Sequence, residues 1–309
     1  MNIWEQQARN RRNTVLLVVL FIALVAAVGY AADWYFGTGD IPVLTLLAFV
    51  FATGQALVGY FAGDKIALSL SQARAVTGQS LKEQQLINVT EEMAIAAGIP
   101  MPKLYVIPDP DLNAFATGRS PRHASIAVTQ GLLNTLSRDE LQAVVAHEVG
   151  HIRNYDIRLM TLVAILLGTI LVLADMLRRA LFWGVGARRR RSEGNAVLLL
   201  LWLVVSILAP LAAYLIAMAV SRQREYYADA TSAELTRNPE ALIRALQKIA
   251  AAIQPTTAIP QSLAHMCIED PRGRPINERS GFWSDLFATH PPIHKRIEAL
   301  RRMAYLQAS

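Results

Sequence analysis

His147-Glu148-Val149-Gly150-His151 is the stretch that decides how this chain is interpreted, and it lies in residues 141–154, whose pattern is helical. Residues four apart share one helix face, so both imidazoles can reach a single ion. Neutral histidine nitrogens are good zinc ligands, and a catalytic zinc keeps one position open for water. Glu148 can accept a proton from that water. The alternative interpretation is a solvated helix that carries two histidines.

The residues before this helix predict that it follows a strand. Ala124–Thr129 alternates as a strand does, and Ser137 with Glu140 forms a capping-box pattern that begins the helix. The edge of that strand could pair with an extended peptide and present its carbonyl group to a metal ion. Further upstream we expect an amphipathic helix at residues 84–97, a strand at 103–107 and a loop at 109–118.

The composition predicts a membrane protein. Of the 309 residues, 53% are hydrophobic and only 17% are charged. A helix that crosses a bilayer needs about 20 apolar residues. We therefore predict four membrane helices, although the third run is short and could instead be a buried core helix. The uncharged runs are residues 13–32, 41–63, 159–174 and 196–220.

Basic residues near the helix ends predict the orientation of the first two helices. Three arginines precede the first run, and Lys65 and Arg74 follow the second, whereas the turn at residues 33–40 has no lysine or arginine. The N-terminus and the residues after 63 are therefore expected in the cytoplasm. The first run is interpreted as an uncleaved helix of a hairpin, because a second apolar run follows it instead of a polar mature start.

A second basic cluster, at Arg178, Arg179 and residues 188–191, does not follow the same rule. If the third and fourth helices both span, this cluster lies outside; if they enter without crossing, it does not. The net charge of +6 fits attraction to anionic lipid headgroups and not nucleic acid, because no aromatic residues are interleaved with the basic ones. The single cysteine, Cys267, excludes an intrachain disulfide and fits a reducing compartment.

An acidic pair follows the fourth apolar run. Glu225 and Asp229 are four residues apart and share a helix face. Glu225 is of the right type for a third zinc ligand, and Asp229 could hold a ligand histidine through its other ring nitrogen. The alternative is a solvated acidic pair that is balanced by Arg222 and Arg224.

The two membrane hairpins, the HEVGH stretch and the sequence SRQREYYAD at residues 221–229 together resemble the HtpX-type membrane zinc metalloproteases, relatives of the CAAX prenyl proteases. The resemblance covers nearly the whole chain, up to Thr289-His290-Pro291-Pro292. It implies a mainly α fold with a small β-sheet, about four transmembrane helices and a gluzincin-like catalytic unit that faces the cytoplasm.

The same resemblance implies roles for individual residues. Asn113, Ala114 and Phe115 resemble the segment that binds the substrate backbone in gluzincins; the alternative is a turn with a buried Phe. His290 is implied to stabilise the oxyanion; the alternative is that it only stops a helix at its N-terminal end. His123, His265 and His294 are expected at the surface. The implied metal centre has one Zn²⁺ per chain, with His147, His151 and Glu225 as ligands, Glu148 as general base and Asp229 as the carboxylate behind a ligand.

We expect an N-terminal membrane hairpin at 1–63, catalytic parts at 64–158 and 221–309, and a second membrane hairpin at 159–220. The predicted function is zinc-dependent cleavage of misfolded or damaged membrane proteins and unfolded polypeptides, in membrane quality control. The expected place is the cytoplasmic face of the cell inner membrane, with no nucleic-acid partner and with the oligomeric state open. The alternatives are a processing protease for lipidated C-termini and a non-catalytic membrane scaffold.

Overall fold

The computed structural model describes residues 3–36, 41–187, 222–252, 258–269 and 291–308. Helices predominate in this part of the chain, and a small mixed sheet lies among them. The chain opens with two long helices, α1 (Ile3–Phe36) and α2 (Val43–Leu70), which are both long and apolar enough to cross a membrane. These two helices correspond to the first two apolar runs.

A carboxylate at the end of α1 connects the two helices of this hairpin. Asp33 accepts hydrogen bonds from the backbone N–H groups of Leu44 and Thr45, at 3.0 and 2.7 Å. The first N–H groups of a helix have no partner within the helix, and Pro42 before α2 makes no side-chain cap. Asp33 therefore caps the N-terminus of α2 from the neighbouring helix and joins the end of α1 to the start of α2.

The sheet has the order β1-β2-β4-β3, in which β2 and β4 are parallel and the other two pairs are antiparallel. Its strands are β1 (Arg74–Ala75), β2 (Lys103–Ile107), β3 (Ala114–Gly118) and β4 (Ala124–Thr129). The prediction of a loop over residues 109–118 is wrong for β3. All five residues of β3 are buried, so the polar–apolar alternation that reveals a half-exposed strand is missing there.

The strand order also corrects the expectation about the peptide-binding edge. β4, the strand before the HEVGH helix, lies between β2 and β3 and has no open edge. The edge strand on this side is β3. A segment from the C-terminal half already pairs with it, since the Ile268 N–H donates to the Ala114 carbonyl and Phe115 forms a bridge with Cys267.

The remaining helices surround this sheet. The predicted helix at 84–97 begins earlier, at Leu81, because the Ser80 side chain accepts a hydrogen bond from the Glu83 N–H and caps it. One apolar core joins the sheet to the helices that carry the site. The helices are α3 (Leu81–Ala97), α4 (Gln130–Thr135), α5 (Arg138–Arg153), α6 (Asp156–Ala187), α7 (Arg222–Thr236), α8 (Pro239–Ala251) and α9 (Ile293–Ala308).

The third apolar run lies in α6. α5 and α6 meet at a bend of 85°, and only together do they pass the length and hydropathy criteria for a span. The first half of α6 packs against α1 and α2, so Leu159, Leu162 and Leu166 are buried within the protein. The fourth apolar run and the basic cluster at 188–191 lie outside the described residues.

Candidate metal centre

Three buried side chains from two crossing helices converge on one point. α5 presents His147 and His151 from successive turns, and α7 presents Glu225 from its first turn. The two Nε2 atoms are 3.3 Å apart, and each lies 3.6 Å from a Glu225 carboxylate oxygen. Atoms about 2.0–2.1 Å from a tetrahedral ion are about 3.3–3.4 Å apart, so this spacing fits a zinc ion.

The other ring nitrogen of each histidine faces a carboxylate. His147 Nδ1 is 3.0 Å from Asp229, and His151 Nδ1 is 3.2 Å from Asp156. In a neutral imidazole the nitrogen beside a carboxylate carries the proton, so both Nε2 atoms point unshared electron pairs at each other. Two such electron pairs 3.3 Å apart repel each other unless a proton or a metal ion lies between them.

The electrostatics of the site also favour positive charge. Burial alone would lower the pKa of His147, but the carboxylates of Asp229 and Glu225 outweigh burial and raise that pKa to about 9. Positive charge at His147 is therefore stabilised by the two carboxylates, and a metal ion displaces the proton of a ligand histidine when it binds.

Glu148 lies between the two histidines in sequence and is buried. Within the described part of the chain, neither of its carboxylate oxygens has a hydrogen-bond partner. Burial raises the pKa of Glu148 above that of an exposed glutamate. It does not belong to the converging set of ligand atoms, so it is available for another role.

Two residues that the sequence interpretation did not assign complete the centre. Arg296 on α9 is fully buried and donates to both oxygens of Asp229, at 2.9 and 2.7 Å. Asp156, at the start of α6, contacts His151. The available signals were weak: Arg296 occupies a position within the apolar stripe of Ile293, Ile297 and Leu300, and Asp156 is a lone acid just after the helix.

The close approach of α5 and α7 depends on a small residue. A Cβ atom on Gly150 would lie 3.2 Å from Thr231 Cβ and 3.3 Å from Ala228 Cα. Beside this crossing, the Ser232 hydroxyl donates to the Ala143 carbonyl at 2.7 Å. Glycine in the HEVGH stretch thus lets α7 bring Glu225 within reach of the two histidines.

The substrate-binding candidates Asn113, Ala114 and Phe115 lie at the start of β3 and are buried. The Asn113 amide donates to the Glu269 carbonyl, and the Ile268 carbonyl accepts from Arg296, so residues 267–269 connect this edge to the metal centre. The role of the three residues stays a prediction. His290 lies outside the described residues.

The other histidines are placed partly as expected. His123 and His294 are exposed, whereas the expectation that His265 is at the surface is wrong. His265 is buried, and its Nε2 is 3.0 Å from the Met160 carbonyl of α6. His265 belongs to a short helical segment, Gln261–Met266, that packs against α6. The sequence around a lone histidine does not reveal such a tertiary contact.

An HExxH helix, a glutamate from a second helix and two adjoining membrane-type helices define a membrane metalloprotease. Comparison with known proteins agrees. The model of peptidase family M48 matches residues 80–304, and the chain belongs to this family. The Protease HtpX homologs of Caldanaerobacter subterraneus subsp. tengcongensis and Thermoanaerobacter pseudethanolicus are 45% and 42% identical, over 97% of this chain and 98% of theirs.

One further relative and one solved structure also match the chain. The Protease HtpX homolog of Streptococcus uberis is 40% identical over 97% of this chain and all of its own length. Among solved structures, the crystal structure of S. mikatae Ste24p matches with a TM-score of 0.49 and 20% identity. That match covers 96% of this chain and 66% of the Ste24p chain.

Proposed function

We propose that this membrane metalloprotease binds one zinc ion through His147, His151 and Glu225. The observation that carries the proposal is the pair of Nε2 atoms, 3.3 Å apart, with their Nδ1 atoms committed to carboxylates. Imidazole nitrogen and carboxylate oxygen are common catalytic zinc ligands, and three protein ligands leave one position for water or substrate. When bound, zinc supplies Lewis-acid chemistry: it polarises a carbonyl group and lowers the pKa of water.

We propose that each residue around the ion has a separate role in peptide hydrolysis. Glu148 takes the proton of the attacking water and passes it to the leaving amine. Asp229 and Asp156 hold the two imidazoles in the tautomer that leaves Nε2 free for the ion. Arg296 neutralises Asp229 in the buried centre. His290 is the candidate for a donor to the oxyanion.

The substrates proposed for this site are polypeptides that are damaged, misfolded or unfolded, in or near a membrane. The name shared by the relatives is compatible with this role. We propose that β3, which includes Ala114 and Phe115 and follows directly on Asn113, receives an extended substrate as an added strand. Since residues 267–268 pair with part of that edge, a substrate must bind beyond them or displace them.

We also propose how the chain is arranged in the membrane. The hairpin at 1–63 and the segment at 159–220 enter the bilayer as about four helices, and the parts at 64–158 and 221–309 form one catalytic unit. The arginines in the first turns of α1, which precede its uncharged stretch, favour the cytoplasmic side of the cell inner membrane for that unit. Processing of lipidated C-termini is a second candidate activity, although four helices are few to enclose a lipid-binding chamber.

The decisive experiment compares Glu148→Gln, Glu225→Ala and wild type for bound zinc and for casein cleavage. Glu148→Gln should keep zinc and lose roughly 10²–10⁴-fold in activity, because it removes a general base and not a ligand. Glu225→Ala should lose zinc and activity together. Glu91→Gln, an exposed glutamate on α3, is the matched control and should behave as wild type.

The outcomes separate the candidates. A Glu148→Gln protein that is active within a few-fold of wild type contradicts the general-base assignment. Zinc bound as tightly to Glu225→Ala as to wild type places the third ligand elsewhere, with His290 next to be tested. A purified wild-type protein without stoichiometric zinc would instead favour a non-catalytic scaffold.

A further inference from the structure

A polar side chain near the start of α1 is connected to the metal centre through Asp156. One Asp156 oxygen, Oδ2, lies 3.2 Å from Nδ1 of His151, and the other accepts a hydrogen bond of 2.6 Å from the amide of Asn10. Asp156 is fully buried and Asn10 is 3% exposed. Two side chains therefore join the first membrane helix to a metal ligand.

The same end of α1 also contacts the connection between α5 and α6. The Asn10 amide lies 3.1 Å from the Asn154 carbonyl, and the Gln7 amide donates to the Arg153 carbonyl at 3.0 Å. The last carbonyl groups of a helix lack partners within it, so α1 supplies donors where α5 ends. In this connection Tyr155 adopts a positive φ of 60°, which turns the chain towards α6.

Asn10 matters because Asp156 is a buried carboxylate. Such a group is stable only with hydrogen-bond donors, and an incompletely satisfied one rotates or draws in water. The cation near the same oxygen, Arg224, has its Nε at 3.7 Å, beyond hydrogen-bond distance. Among the described residues, Asn10 is thus the side-chain hydrogen-bond donor to Oδ1, and Oδ2 faces His151.

We propose that Asn10 is a positioning residue for the metal ligand His151, so that this one side chain of the first membrane helix contributes to the affinity of the metal centre. The inference rests on the proposed function, since it assumes that His151 binds zinc. The path is ordered: Asn10 holds Asp156, Asp156 holds the Nδ1–H of His151, and the free Nε2 faces the ion. Loss of Asn10 should weaken zinc binding without touching any ligand.

The test measures the zinc affinity of the full-length protein in detergent micelles by competition with a chelator. Removal of a carboxylate that holds a ligand costs about 10–100-fold in metal affinity, so Asn10→Ala, one residue further out, should cost about threefold to tenfold. Asn10→Asp keeps the size and replaces the donor with an acceptor that faces Asp156, so its loss should be at least as large. Gln7→Ala removes a neighbouring α1 contact to the same connection and should keep wild-type zinc affinity.

A double variant separates positioning from general destabilisation. If Asn10 acts through Asp156, adding Asn10→Ala to Asp156→Ala should cause no further loss of zinc affinity. A merely structural role predicts that both losses add, and that metal-free Asn10→Ala and Gln7→Ala unfold earlier to the same degree. Equal zinc affinity of both Asn10 variants and wild type, with His147→Ala still abolishing binding, would overturn this inference alone. Unchanged zinc binding in His147→Ala would instead overturn the proposed function.

Discussion

The metal centre is defined at the scale of single residues by charges that balance one another in a buried place. Glu225 and Asp229 place negative charge beside the two histidines. The guanidinium of Arg296 contacts both of these carboxylates and offsets their charge. Because these side chains are buried away from water, removing one of them leaves the charge of its neighbour uncompensated. The position of the Asp229 carboxylate beside His147 therefore depends on the guanidinium of Arg296.

Replacing Arg296 should reveal this dependence. We expect Arg296→Ala to lower the free energy of unfolding of the metal-free protein by about 3–5 kcal/mol, because buried Asp229 loses its guanidinium partner and keeps, among the described residues, only His147 beside it. Arg296→Lys should recover only part of the loss, since an ammonium group cannot make the two-pronged contact. Thermal unfolding of the purified protein measures the effect. Arg301→Ala, exposed on the same helix, is the control, and equal unfolding of the two alanine variants would contradict the prediction.

At the scale of elements, the crossing of α5 and α7 makes the site. α5 begins at a full capping box, in which Ser137 and Glu140 satisfy each other's backbone groups, and Glu140 also pairs with Lys248 of α8 at 2.7 Å. α7 can bring Glu225 within 3.6 Å of both histidines because Gly150 offers no side chain at the contact.

Side chains added at Gly150 should weaken the metal centre in order of size. Gly150→Ala places a Cβ 3.2 Å from Thr231 Cβ and requires a small shift of α7, whereas Gly150→Val should cost about 1–3 kcal/mol by overpacking. Because the shift moves Glu225 away from His147, zinc affinity should fall from wild type to alanine to valine in chelator competition. Gly54→Val on α2 is the control, since a Cβ there meets nothing within 4 Å. Wild-type affinity in Gly150→Val would contradict the account.

At the scale of the whole molecule, one site is assembled from parts that the apolar segment 159–220 separates in sequence. His151 and Glu225 meet, so this segment must leave and return on the same side of any membrane. The hairpin of α1 and α2 likewise returns the chain to the side where it began, with Asp33 at the turn. We therefore expect the parts of the chain that carry His151 and Glu225 to face one compartment.

Topology reporters can test this arrangement. Reporters fused after Thr129 and after Tyr305 should both read cytoplasmic, because the arginines in the first turns of α1 predict a cytoplasmic N-terminus. A reporter in the turn at residues 33–40 is the control and should read from the opposite side. A reporter within residues 188–191 distinguishes a spanning pair from a re-entrant one. Opposite readings after Thr129 and Tyr305 would make a shared metal site impossible.

The sequence by itself determined the features that are local in the chain. The spacing of His147 and His151, the capping box at Ser137 and the length of the first two apolar runs are each set by residues within a few turns, so pattern and helix geometry suffice. The third-ligand prediction for Glu225 needed the family resemblance as well. Its spacing alone favoured the alternative, a solvated acidic pair.

The tertiary structure alone decided the features that depend on distant partners. β3 is a strand because β4 and residues 267–268 supply its hydrogen bonds, and its own buried residues carry no alternating signal. Three single polar residues also belong to the site: Arg296, Asp156 and Asn10. No sequence pattern marks them, and their roles follow only from the charged or polar groups that they contact in the fold. A buried polar group needs a hydrogen-bond partner, and that partner is often distant in sequence. The spacing of residues along the chain therefore does not predict the pair.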